Sequence, residues 1–101
     1  MSLETTKTPI LANTSRTIKR ENSKGFDQWN QNVQISMEGI GAGVWTVEYL
    51  PHRSTNMITH AENLTITDIV VISGPNAPIM DAIQVTCTTA GDAIVTSWAR
   101  F

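Results

Sequence analysis

Apolar and polar residues alternate with a period of two along much of this chain, and no stretch shows a helical period. That constrains the fold more than any other feature. Val33, Ile35 and Met37 alternate with Gln34, Ser36 and Glu38, the pattern of a strand with one face buried. Gly39-Ile40-Gly41-Ala42-Gly43 reads as a turn, since glycine takes positive φ without steric cost. Alternation resumes in 44–49, with Trp45, Val47 and Tyr49 inward and Thr46 and Glu48 outward. The two runs and their turn predict an antiparallel hairpin.

Met57-Ile58-Thr59-His60 reads as a short edge strand. In 64–73 the phase slips: Leu64, Ile66, Val70 and Ile72 share one parity, while Ile69 and Val71 fall on the other. A bulge near Asp68, or cover on both faces, would account for it. Gly74-Pro75-Asn76-Ala77-Pro78 ends that run. Ile83, Val85 and Cys87 then alternate with Gln84, Thr86 and Thr88, 89–92 turns, and 93–101 returns, which predicts a second hairpin. Strands separated by turn signals argue an all-β fold, a small antiparallel β-sandwich or barrel over residues 29–101.

Residues 1–28 read differently. Thr, Ser, Asn and Lys dominate, and Ile10, Leu11 and Ile18 are too few for a core of their own. The expectation is an extended polar arm that orders by adding to a sheet edge, with Ile10, Leu11 and Ile18 as apolar anchors and Arg16, Lys19 and Arg20 as charged contacts. Charge is split accordingly. Residues 1–25 hold five basic and two acidic side chains, net +3; residues 26–101 hold two basic and seven acidic, net -5. Opposite signs favour contact between the two parts or between copies.

With 101 residues there is room for one domain, which buries only roughly two-thirds of the surface of its unfolded chain. Cys87 is the single cysteine, so no disulfide forms within the chain, and the scattered His52, His60 and Cys87 lack zinc-site spacing. A homo-oligomer is the expected source of further burial. There is no secretory leader pattern or membrane-length apolar run, so the sequons at Asn13 and Asn63 read as chance matches and a cytoplasmic origin is expected.

Chemistry-bearing residues are sparse. Cys87 shares a face with Val85 and Ile83 and reads as a small core hydrophobe. His52, His60 and Asp68 have no spacing that fixes a catalytic arrangement, and phosphate-binding loops, dinucleotide fingerprints, calcium loops and nucleophile elbows are absent. No enzyme, catalytic residue, metal, cofactor or small-molecule substrate is expected. Trp29 stands among polar residues, either stacking on a sugar or anchoring the arm. Nucleic acid ranks behind both readings, because three neighbouring charges make few phosphate contacts and the rest of the chain is acidic.

The succession of a polar arm, the Gly39–Val47 turn and strand, the Leu50-Pro51 loop and the 82–101 unit ending in Trp98-Ala99-Arg100-Phe101 resembles small virion proteins of tailed bacteriophages, especially capsid decoration (cement) proteins. The resemblance spans roughly residues 30–101. It implies a subunit, often trimeric, that sits over junctions of the major capsid protein and clamps the expanded shell, with an N-terminal arm reaching neighbours. A receptor- or carbohydrate-binding module of a phage fibre or tail, and a head-completion subunit, are the alternatives.

Overall fold

A computed structural model describes residues 3–19, 33–72 and 80–98, with the backbone alone for Leu3, Glu4 and Trp98. Eight strands form two sheets: β1 (Leu3–Ile10), β2 (Thr14–Ile18), β3 (Val33–Glu38), β4 (Trp45–Pro51), β5 (Ile58–Leu64), β6 (Val70–Ile72), β7 (Met80–Cys87) and β8 (Gly91–Trp98). One sheet has the order β1-β8-β3-β6 and the other β2-β7-β4-β5, and all neighbouring strands pair antiparallel. The all-β sandwich expected from the alternation is the observed fold.

First pairs with last, and the pattern continues inward: β1 with β8, β2 with β7, β3 with β6, β4 with β5. A ribbon doubled back once at the β4–β5 turn and then rolled up gives this set of pairs. Rolling adds the contacts β3–β8 and β4–β7 that close each sheet. The result is a jelly roll, an arrangement of two four-stranded sheets found among viral capsid and lectin domains and cupins.

Alternation places the core. Val33, Ile35 and Met37 of β3 are buried, as are Trp45 and Val47 of β4 and Ile83, Val85 and Cys87 of β7. With Ile10, Ile18, Ile40, Val70, Ile72, Met80, Ala93 and Val95 they form one cluster between the sheets, with Tyr49, Ala61 and Leu64 packed at its margin. In β7 the phase slips between Ala82 and Ile83, both buried. Leu50 pairs with Ala82 and Pro51 with Met80, which leaves Asp81 as the extra residue of a bulge.

Three expectations are corrected. The turn expected at 39–43 and the one expected at 89–92, which the structure places at 88–90, do not close hairpins: β3 and β4 lie in different sheets, and so do β7 and β8. Each is an arch across the sandwich, and its strands keep the same alternation a hairpin would give. The phase slip at Asp68 is not a bulge within one strand. It is a turn between β5, an edge strand, and β6 on the opposite sheet, in which Thr65 N–H donates to Asp68 Oδ2 at 2.7 Å and Asp68 N–H to the Thr65 carbonyl at 3.0 Å.

The extended arm is the third. Residues 3–18 belong to the chain's own sandwich, because β1 runs antiparallel to β8 from Leu3↔Trp98 to Ile10↔Gly91 and β2 to β7 from Thr14↔Cys87 to Ile18↔Ile83. Ile10 and Ile18 are core residues at 1% and 3% exposure, so neither is free to anchor a neighbour. Strand addition to an edge is what this segment does, but within its own chain.

Candidate interaction surface

Four connections gather at one end of the sandwich because each crosses between sheets there: 11–13, 39–44, 65–69 and 88–90. Their footing is a row of paired residues across one sheet, Thr14, Cys87, Trp45 and Leu64. Three strand spacings make that row about 14 Å long.

Hydrogen bonds tie the arches together. Asn13 N–H donates to the Cys87 carbonyl at 2.9 Å, and Asn13 sits at φ 56°, a left-handed position asparagine tolerates. Thr14 Oγ1 donates to the Leu11 carbonyl at 2.6 Å. Thr88 N–H donates to the Val44 carbonyl and Val44 N–H to Thr88 Oγ1, each at 3.0 Å. Thr89 Oγ1 donates to the Ile40 carbonyl at 2.8 Å, and Trp45 Nε1–H reaches the Thr65 carbonyl at 2.8 Å. The 39–44 arch is therefore held from both sides. Its left-handed bends fall at Gly39 (φ 78°) and Gly41 (φ 57°).

This end is apolar at its tips and nearly without charge. Leu11 is 72% exposed, Ile69 60%, Ile66 40% and Val44 38%. Asp68 is the one charged residue in the four connections, and its carboxylate is already bonded to Thr65 N–H and Oγ1. Beside them, Lys7 of β1 forms an ion pair with Glu38 of β3, which holds the lysine above its ordinary pKa. Interfaces are depleted of charge at their cores and ringed by polar residues, and this surface has that character.

The opposite end carries the polar constellation. His52, in the turn between β4 and β5, lies 2.8 Å from Asp81 Oδ1 through Nδ1, and Arg53 N–H donates to Asp81 Oδ2 at 3.1 Å. An ionised carboxylate only accepts, so Nδ1 carries the proton. The His52 hydrogen bond first, then that from Arg53, lowers the Asp81 pKa. Both oxygens thus fasten the turn to the β7 bulge. The alternative partner, Asp68, is committed to Thr65.

Of the expected contact residues, Leu11 lies on the arch surface, Arg16 is exposed on β2 and Lys19 follows β2 toward the other end. Ile10 and Ile18 are inside, and Arg20 and Trp29 lie outside the described residues. The five of the six arm residues that are described therefore do not make one surface. Val44, Ile66 and Ile69 were not anticipated as contacts; the phase slip near Asp68 is the signal that sets Ile69 outside the core.

Cys87 is buried at 1% exposure, its sulfur 4.0 Å from Thr89 Oγ1. Trp45 is buried with its Nε1–H engaged, so its ring is closed to a sugar. Among the described residues no group of three or more His, Cys, Asp or Glu is placed to hold a metal ion. In comparisons with known proteins, no family model, no curated protein and no solved structure matches this chain.

Proposed function

We propose that this chain is a structural subunit of a virion, a decoration protein that stabilises a capsid shell by seating its arch surface on the major capsid protein. The observation that carries the reading is the nearly uncharged end with Leu11, Val44 and Ile66 at its tips. Removing these side chains from water is favourable, and hardly any charge has to be desolvated with them. Cross-bonding of the arches keeps the entropic cost of docking small, since little has to be ordered on contact. The body is thus the contact element, in place of a clamping arm. Bridging then requires more than one copy, whose weak contacts multiply when linked.

A sugar-binding module shares the architecture, which by itself says nothing about function. Carbohydrate recognition needs convergent polar groups and stacking rings. The four connections hold no aromatic residue, and their hydroxyl groups on Thr65, Thr88 and Thr89 act within and between the arches.

The test is co-sedimentation of the purified chain with capsids of the virus from which the sequence comes. The chain is expected to pellet with shells, and Leu11→Lys with Val44→Lys to remain in the supernatant while folding normally. Failure of the unaltered chain to pellet would end the decoration reading, and binding to a glycan array would replace it.

A further inference from the structure

Among the described residues other than glycine, positive φ falls at Asn13, Asn63 and Arg53. Asparagine tolerates that region because its short amide bonds locally; arginine has no such group. Arg53, at φ 63°, is the third residue of the turn Pro51-His52-Arg53-Ser54, which Ser54 N–H closes by donating to the Pro51 carbonyl at 2.9 Å. His52 lies outside the left-handed region, so the turn is type II, whose third position favours glycine or asparagine. A type I turn would join the same residues with no positive φ. The two forms differ by about 150–170° at ψ of the second residue and φ of the third, a half-turn of the peptide between them.

Asp81 selects the costlier form. Its Oδ2 accepts the N–H of that same peptide, from Arg53, at 3.1 Å, and its Oδ1 lies 2.8 Å from His52 Nδ1. In type I the Arg53 N–H would face the other side of the turn and this bond would be lost. The carboxylate reaches the turn from the extra residue of the β7 bulge. Beyond the turn, Ser54 Oγ accepts from Asn56 N–H at 3.1 Å, so the rest of the connection is tied down separately.

We propose that the 51–54 turn is a two-state element, held in its type II form by the ionised Asp81 carboxylate and released to type I when that charge is removed. A neutral carboxyl is the weaker acceptor, so the strain at Arg53 then goes uncompensated. Among the described residues, the groups acting on Asp81 are His52, Arg53 through its N–H, and Lys19. The His52 hydrogen bond, then that of Arg53, and more weakly the charges of His52 and Lys19 keep it ionised against partial burial. Nδ1 of His52 donates from neutral and charged imidazole alike, so the carboxylate is the group that switches. Its folded pKa lies below the ordinary value, so the latch is closed at neutral pH and opens as pH falls through that lowered value. The flip re-aims the exposed Arg53 beside His52 and Lys19, and so changes the pattern of positive charge at this end. It involves none of the arch surface and stands independently of the virion reading.

Nuclear Overhauser spectra of the isotope-labelled full chain decide it. A ψ of about 120° at His52 brings its Hα close to the Arg53 N–H, whereas about −30° brings the two N–H groups together. In the unaltered chain at pH 7 the Hα–NH cross-peak should be several times the stronger, and in Asp81→Ala the order should reverse. Asp81→Ala combined with Arg53→Gly should restore the first pattern, since glycine takes positive φ without cost. Arg53→Gly alone, which leaves the latch in place, should raise the urea midpoint, and this reading stands even if Asp81→Ala fails to fold. A type II pattern persisting in Asp81→Ala, a type I pattern in the double variant, or an unchanged or lower midpoint for Arg53→Gly would overturn the proposal.

Discussion

Gly91 and Ile40 are pressed together where two arches meet: a Cβ added to Gly91 would stand 2.3 Å from Ile40 Cγ2 and 2.8 Å from the Glu38 carbonyl oxygen. Ile40 is itself 2% exposed, plugging the end of the core. The side chain could turn aside, but the carbonyl belongs to β3 and cannot. Gly91→Ala is therefore expected to cost about 1–3 kcal/mol, as overpacking does. At roughly 4–8 °C per kcal/mol for a domain of this size, thermal melting followed by circular dichroism will show it clearly.

Ser97 supplies the opposite case. It lies inward on β8 at 2% exposure, and its hydroxyl has no hydrogen-bond partner among the described residues. A buried hydroxyl left unpaired is a net cost. Ser97→Ala should raise stability by about 1 kcal/mol, visible as a higher denaturant midpoint at unchanged slope. A lower midpoint would mean the hydroxyl has a partner after all.

The Asp81 hook gives a pH dependence with a definite sign. Its folded pKa lies below the ordinary carboxylate value, because His52 and Arg53 donate to the ionised form. The stabilisation is full above the unfolded pKa and disappears as pH falls through the folded one. Asp81→Asn removes that titration. Its stability should fall less than that of the unaltered chain between about pH 5 and pH 3. Superimposable pH profiles in urea titrations would refute the hook.

Protection of the N-terminal segment from exchange follows from the ladder. Amides of β1 and β2 that bond to β8 and β7 should exchange with deuterium slowly, on the scale of those strands, in the isolated chain. Deleting residues 1–18 should abolish folding, since it strips an edge from each sheet and takes Ile10 and Ile18 from the core. Rapid exchange throughout 3–18 would restore the free arm.

Where strands form and which face they bury was readable from alternation, as in Val33, Ile35 and Met37. The sheet each strand joins was not. An arch such as 39–44 and a hairpin loop both reverse the chain, and six residues reach across the roughly 10 Å between sheets. β1 escaped notice for a different reason: its inward Thr6 and Thr8 are only half-buried and Ile10 alone is apolar, so an edge strand reads like a linker. The arch surface assembles from Leu11, Val44 and Ile66, spread over more than fifty positions of the chain, and only the rolled ribbon brings them to one end.

That roll also sets a timetable for the nascent chain. Leu3 leaves the ribosome well before Trp98 is made, yet they are partners. Neither β1 nor β2 has its native neighbour to pair with until β7 and β8 have been made, so neither native sheet can be completed before then. Contacts so distant in sequence close slowly. Throughout that interval the uncharged Ile69–Ile72 stretch is exposed to other unfinished copies, and the cell has reason to keep them apart.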